Sequence, residues 1–144
     1  MTTALPIDDV AGDVWLSSLS GYQKTLVAEL LASGLSEESV AELWLSRASA
    51  EHTAAFGGAS VGANFLSSIK TELRKVICGD PEYEDIRKEA LSIWSGQKYA
   101  VVAIIAGAVA LHLGLAVVAV TPVVALLLSA VRKIGLNAWC NPSS

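Results

Sequence analysis

Two histidines and two cysteines are the side chains of this 144-residue chain best suited to metal binding or nucleophilic chemistry. They are His52, His112, Cys78 and Cys140, and their spacings match no zinc or redox motif. In a reducing compartment both thiols would behave as small hydrophobic residues. The sequence also offers no Ser-His-Asp order, no carboxylate pair in an apolar setting and no phosphate-binding glycine loop. We therefore expect no enzyme activity, no metal and no cofactor.

Five basic residues form a second group with possible chemistry, because they recur along two predicted amphipathic helices. They are Lys70, Arg74, Lys75, Arg87 and Lys88. If the two helices are antiparallel, the five side chains could converge into one surface that binds an anion, a nucleotide or a short oligonucleotide. Acidic residues are interspersed with them, so a solvated, charge-balanced face and a contact with anionic lipid are open alternatives.

His112 is the remaining candidate, because it lies inside a long stretch without charged residues, 99–131. An ionisable side chain within a bilayer is costly and marks a functional site by default, facing a cavity or a partner. A neutral imidazole bonded to a backbone carbonyl at a helix contact is the other interpretation. The residue types alone do not separate the two.

The composition is shifted towards that of membrane proteins. The chain is 53% hydrophobic and 17% charged, against about 45–50% and about 25% in an ordinary soluble domain. The excess is local, since no Asp, Glu, Lys or Arg occurs between Lys98 and Arg132. The formal net charge of -4 disfavours a general nucleic-acid coat. Asp8 and Asp9 near the start, without a basic region, do not fit a secretory signal peptide.

Residues 1–97 are predicted to form a soluble module of short helices. Two helical hairpins, at about 13–53 and 63–96, flank a glycine-rich hinge at 54–64. Ser36 is expected to cap a helix that begins at Glu37, and Gly34 to end the helix before it. In the second hairpin, a helix is expected to end near Gly79, and Asp80 and Pro81 are expected to begin the next one.

A helix, a glycine turn and a second helix are also the order of a helix-turn-helix DNA-binding motif. The second helix would be the recognition helix, yet it carries Glu37, Glu38 and Glu42 against Arg47. Acids repel phosphates, so we expect no binding in the groove of duplex DNA.

Residues 98–144 are predicted to form a transmembrane helical hairpin and a C-terminal tail. As one straight helix, the uncharged stretch would be about 50 Å long, against a hydrocarbon core of about 30 Å. It must therefore be broken, and Thr121 and Pro122 are expected to begin its second leg, since proline suits the first position of a helix. A single span over residues 99–120, followed by an interfacial helix, is the alternative.

Basic and aromatic residues at both ends of the stretch are expected to anchor it at the membrane interface. Positive charge on both sides favours a hairpin with both termini in the cytoplasm. The expected anchors are Lys98, Tyr99, Arg132, Lys133 and Trp139.

Small residues recur on one side of the first leg, which is typical of closely packed transmembrane helices. This small-residue seam consists of Ala103, Gly107, Ala110 and Gly114. Because a single hairpin encloses no path, a pore needs several copies, and we expect a homo-oligomer with a tetramer as the first guess. His112, Thr121 and Pro122 are further candidates for lining or packing that pore.

The segments ICGDPEYEDIRKEA (77–90) and KIGLNAWC (133–140), with the proline-broken apolar pair, resemble small bacterial membrane effectors of antiphage defence operons. The Hailong-type channel effectors are the nearest family. The resemblance implies an oligomeric channel that depolarises the inner membrane and is gated through its cytoplasmic helices by a nucleotide-derived signal. On that view, the five basic residues would recognise the signal.

The sequence as a whole predicts an all-α protein, with a cytoplasmic helical bundle and a transmembrane hairpin, that acts as a toxin-like pore or ion-channel effector. Its partners would be the lipid bilayer, further copies of itself, and a regulatory nucleotide, short oligonucleotide or operon-encoded protein. A membrane-anchored adaptor, whose hairpin is only a tether, is the main alternative. A water-soluble protein that releases a buried hairpin into membranes on activation is a third.

Overall fold

The computed structural model describes residues 5–7, 10, 12–17, 19, 21–52, 59–96 and 98–141. These residues form helices and connections, and no strand occurs among them, so the all-α prediction is confirmed. The helices are α1 (Gly12–Ser17), α2 (Gly21–Ala32), α3 (Glu37–His52), α4 (Ala59–Cys78), a 3₁₀ helix (Pro81–Tyr83), α5 (Glu84–Ser92), α6 (Lys98–Leu113), α7 (Val117–Ile134) and α8 (Leu136–Cys140).

Local capping signals set several helix ends where the sequence predicts them. α3 begins after Ser36, whose Oγ accepts a hydrogen bond from the Ser39 backbone N–H at 3.2 Å. α4 ends before Gly79, which has the positive φ, 104°, that favours glycine after a helix. Asp80 then caps the 3₁₀ helix, with its Oδ1 accepting from the Glu82 N–H at 2.8 Å.

The predicted glycine-rich hinge is wrong over half of its length. Residues 59–64 form the first turns of α4, which runs unbroken to Cys78. Residues 54–58 lie outside the described part of the chain. The apolar stripe that follows packs α4 into the core, and such packing contributes more to helix stability than local propensity does.

The apolar stretch is broken at Gly114, and the predicted break at Thr121 and Pro122 is wrong. α6 ends just before Gly114, whose φ of 70° lets the chain turn. Pro122 lies inside α7, where it cannot donate the hydrogen bond that the Val118 carbonyl would normally accept. Thr121 continues the helix, and its Oγ1 donates to the Val117 carbonyl at 2.8 Å.

Side chains from α2 and α3 donate to the carbonyls that precede this proline. Gln23 Nε2 donates to the Val118 carbonyl at 3.4 Å, and Trp44 Nε1 donates to the Ala119 carbonyl at 2.8 Å. A proline within a helix usually costs about 3 kcal/mol, in part through the lost hydrogen bond. Here tertiary contacts replace that bond, which explains why α7 continues through Pro122.

α7 lies at the centre of the bundle, where it packs against α1, α3, α4 and α6. Every residue from Pro122 to Val131 is buried. An ordinary surface helix buries only one face, whereas a helix that is apolar on all sides belongs in a core or in a membrane.

The division at residue 97 that the charges suggest is not a division in packing. One hydrophobic core contains Leu5, Trp15 and Val40 together with Ile105 and Leu127 of the apolar hairpin. In this folded state the helices of residues 1–97 therefore enclose the α6–α7 hairpin instead of forming a separate module beside it.

A disulfide joins Cys78, the last residue of α4, to Cys140 of α8, with the two Cα atoms 5.7 Å apart. The expectation of two unpaired thiols is therefore wrong. Tertiary folding brings together two residues that are 62 positions apart, and no local spacing indicates this. The bond closes a loop that contains the whole α6–α7 hairpin.

Reducing this disulfide is expected to lower the free energy of unfolding by about 4 kcal/mol, because a closed loop of about 60 residues restricts the unfolded chain. Urea unfolding followed by circular dichroism, with and without reductant, measures the change. The Cys78→Ser/Cys140→Ser double variant is the control and should not respond to reductant. Equal stability of the oxidised and reduced wild-type chains would contradict the prediction.

Candidate functional site

His112, at the end of α6, lies between two carboxylates. Its Nε2 is 3.4 Å from Glu72 Oε1, and its Nδ1 is 3.5 Å from Glu82 Oε2. Glu72 belongs to α4 and Glu82 to the 3₁₀ helix, so the contact joins the turn of the hairpin to two other elements. The imidazole is 44% exposed. Its partners are thus two acidic side chains.

Tyr83 and Lys75 complete this group. Tyr83 Oη donates to Glu72 Oε1 at 2.7 Å, while Lys75 Nζ lies 3.5 Å from Glu72 Oε2 and 3.6 Å from Glu82 Oε1. Burial and then the hydrogen bond to Glu72 raise the pKa of Tyr83 well above its usual range. The two carboxylates, Glu72 first, raise the pKa of Lys75. We call these residues, Glu72, Lys75, Glu82, Tyr83 and His112, the tip cluster.

The protonation of His112 decides how many hydrogen bonds the tip cluster contains. An imidazolium has two N–H donors, one for each carboxylate, whereas a neutral imidazole has one donor and one acceptor. A protonated imidazole at this position can therefore donate to both carboxylates at once. In that form, two cations balance the two carboxylates.

The oxygen and nitrogen atoms of Glu72, Glu82 and His112 lie within 4.8 Å of one another, close enough to be considered as a metal site. Lys75, however, already contacts both carboxylates and supplies a counter-charge. The geometry is that of a charge-balanced ion-pair cluster rather than of an open ligand set.

The predicted cationic residues do not stand free of protein partners. Lys75 belongs to the tip cluster. Lys70 Nζ is 2.8 Å from Glu38 Oε1, and Lys88 Nζ is 3.8 Å from Glu84 Oε1. Such exposed or partly exposed pairs are weak and easily screened. Anion binding by Lys70 and Lys88 stays a prediction.

The two arginines of this group support the fold. Arg87 is 3% exposed. Its guanidinium donates, at 2.7–3.2 Å, to the carbonyls of Lys75, Val76 and Asp80. These carbonyls lie at and just after the end of α4, where helices leave acceptors unsatisfied. Arg74 donates to the Trp139 carbonyl at 3.0 Å and lies over its ring. The expectation that all five cations share one open surface is therefore corrected.

The two glycines of the small-residue seam make no close helix contact within the described part of the chain. Ala110 is buried, Gly107 is half-buried, and Ala103 and Gly114 are exposed. A Cβ added to Gly107 or Gly114 would meet no described atom within 4 Å. Packing of the seam against a second copy stays a prediction, and Gly107 is its better test because Gly114 has a positive φ.

Apolar side chains are exposed on both sides of the turn between α6 and α7. Leu111 is 85% exposed, Val117 48% and Val118 58%. Turns are usually rich in polar residues and glycine. We call these three residues the apolar tip. Sequence analysis missed it, although Gly114 in the middle of the stretch was a local signal for the turn.

The predicted interface anchors are divided between the surface and the interior. Tyr99, Arg132 and Lys133 are exposed, and Lys98 is half-buried. Trp139 is only 4% exposed. The expectation that Trp139 lies at an interface is corrected for this folded state, because its ring packs against α4.

Among the described helices, α7 is long and apolar enough to cross a membrane, with 18 residues and a mean hydropathy of 1.9. A span is therefore compatible with the chain. The central helix of a soluble protein meets the same criterion, and 61% of α7 is buried here. The first leg of the predicted hairpin, α6, is shorter.

The chain matches no family model, no curated protein and no solved structure. Its function must therefore be argued from the geometry of its own residues.

Replacing Tyr83 by phenylalanine is expected to destabilise the protein by about 2 kcal/mol near neutral pH, because buried Glu72 loses a hydrogen bond. The variant should also lose a pH dependence. Since folding raises the pKa of Tyr83, its stabilising contribution is complete below the usual value of about 10 and is lost as the pH rises above it.

Thermal unfolding between about pH 8 and pH 11 measures both effects. The wild type should lose stability above about pH 10 faster than the Tyr83→Phe variant does. Tyr22→Phe is the matched control, because Tyr22 is 74% exposed. Parallel stability curves for wild type and Tyr83→Phe would refute the assignment.

Proposed function

We propose that the protein permeabilises membranes, and that it stores its spanning helix at the centre of a folded bundle until the hairpin inserts. The burial of α7 is the observation on which this proposal rests. The helix with the length and composition of a span is enclosed by α1, α3, α4 and α6. The proposal unites the predicted pore with the third sequence-based alternative, a buried hairpin that is released.

Such a transfer costs α7 itself little free energy. Its apolar side chains exchange one apolar environment for another, because lipid tails are about as apolar as a protein core. Its backbone hydrogen bonds stay within the helix, as the bilayer requires. The bundle loses the burial of the apolar faces that pack against α7. It also loses polar contacts, namely those of Gln23 and Trp44 with the carbonyls before Pro122 and those of His112 with its carboxylates.

The lengths of the two helices suit a short hairpin. At 1.5 Å per residue, α6 with 16 residues is about 24 Å long and α7 with 18 residues about 27 Å. The hydrocarbon core is about 30 Å thick. A hairpin of this length is accommodated by local thinning of the bilayer.

Several copies are needed for a pore, and the open side of α6 around Gly107 offers a place for them to pack. Gly107→Leu is expected to leave the folded bundle intact, since an added Cβ meets no described atom there, and to slow vesicle leakage by preventing close helix approach. Dye leakage from vesicles and cross-linking in the membrane measure this. Leakage and cross-linking at wild-type levels would exclude Gly107 from the packing interface.

The disulfide indicates the kind of compartment in which the folded bundle is kept. Cys78–Cys140 is the kind of bond that persists in oxidising compartments. The proposal therefore places the oxidised bundle outside the cytoplasm. It departs in this from the flanking charges, which predict that both termini lie in the cytoplasm. An antiphage effector acting from the cytoplasm, as the resemblance implies, would require the reduced form.

Placing a charge on the apolar tip is the sharpest test of permeabilisation. Leu111→Asp should leave the bundle folded, because the side chain is 85% exposed. It should lower the initial rate of dye leakage at least about tenfold, since an aspartate crossing the bilayer centre costs about 2.5–3.5 kcal/mol. Dye-loaded vesicles containing anionic lipid are the assay.

Leu91→Asp is the matched control, because Leu91 is an exposed leucine of α5, outside the hairpin, and is 39% exposed. It should leak at the wild-type rate. Equal rates for the two variants would contradict insertion of the tip. No leakage by the wild type would favour the adaptor alternative, in which the hairpin is only a tether.

A further inference from the structure

We propose that the tip cluster is an autoinhibitory contact: His112, placed between Glu72 and Glu82, holds the apolar tip against the bundle and must separate from them before the hairpin inserts. The inference rests on the proposed function and names what controls it.

His112 lies next to the turn, so its contacts with Glu72 and Glu82 hold the turn in place. It is adjacent to Leu111, which is 85% exposed, and two residues before Gly114, where the chain reverses. The apolar side chains of the tip thus already face outwards, while the neighbouring imidazole is bound to α4 and to the 3₁₀ helix. Moving the tip into a bilayer therefore requires both imidazole contacts to break.

The carboxylates cannot accompany His112 into the membrane. Glu72 is 6% exposed and lies on α4, whose last residue is held by the disulfide. Charged groups in hydrocarbon are costly. Insertion must consequently separate the imidazole from its acidic partners.

The cluster remains satisfied after His112 leaves. Glu72 keeps the hydrogen bond from Tyr83 and the ion pair with Lys75, and Glu82 keeps its own pair with Lys75. No buried carboxylate is left without a partner, which would be the expensive outcome. The contact can therefore open without disrupting α4.

Charged and polar groups from two elements surround His112. Glu72 and Lys75 face it from α4, and Glu82 and Tyr83 from the 3₁₀ helix, with Asp80 acting on Tyr83 electrostatically. The described residues of α7 next to the turn carry no charge.

The experiment uses the full oxidised chain and dye-loaded vesicles of phosphatidylglycerol and phosphatidylcholine. His112→Asn and Glu82→Gln should each raise the initial leakage rate near neutral pH about two- to fivefold, as expected for a partly exposed ionic contact. Glu89→Gln, an exposed acid of α5, is the matched control and should leak at the wild-type rate.

Hydrogen exchange without lipid provides a second readout that does not depend on leakage. Amides of residues 111–118 should exchange faster in His112→Asn than in the wild type, while amides in the centre of α7 should not change. Circular dichroism and thermal unfolding establish that each variant is folded. If His112→Asn does not fold, Glu82→Gln takes its place in both measurements.

The outcomes separate the two proposals. Faster leakage together with faster exchange at the tip supports the autoinhibitory contact. Leakage by the variants at or below the wild-type rate overturns the contact and leaves the proposed function standing. Absence of leakage from every form, including the wild type, overturns the proposed function and this inference with it.

Discussion

The apolar character of α7 on every face from Pro122 to Val131 is the constraint on which the rest of the structure depends. A helix of this kind is stable only where no side of it meets water, at the centre of a protein or across a bilayer. In the folded bundle, α1, α3, α4 and α6 cover it, and the buried residues of these helices belong to the same core. Removing α7 would leave each covering helix with an exposed apolar face. The bundle is therefore stable only while it encloses the hairpin.

The hairpin is held unequally at its two ends. In the last turn of α7, Arg132 Nε donates to the Val10 carbonyl at 3.1 Å. Beyond the end of α7, the Cys78–Cys140 disulfide joins α8 to α4. At the turn, the polar attachments are the contacts of His112 and the donors from Gln23 and Trp44. Exposed apolar side chains lie beside them. Under the proposed function, the turn is therefore the part that leaves the bundle first.

Features governed by neighbours in sequence could be predicted, and those governed by distant residues could not. Ser36, Gly79 and Asp80 set helix ends because caps act within one turn. Pro122 does not break α7, because its compensating donors come from residues 95 and 75 positions before the carbonyls they bind. For the same reason, the sequence singled out His112 but not its acidic partners. Basic residue type alone likewise did not distinguish buried Arg87 from exposed Lys88.

The central claim is that the turn of the hairpin moves from water into lipid. A fluorophore attached to the single-site variant Val118→Cys, with the Cys78–Cys140 disulfide intact, reports this directly through quenching by nitroxides placed at different depths in vesicles. The account predicts that water-soluble quenchers reach the probe before vesicles are added, and that acyl-chain nitroxides reach it afterwards. A probe that remains accessible only to water-soluble quenchers, while the protein is bound to the vesicles, would contradict the account.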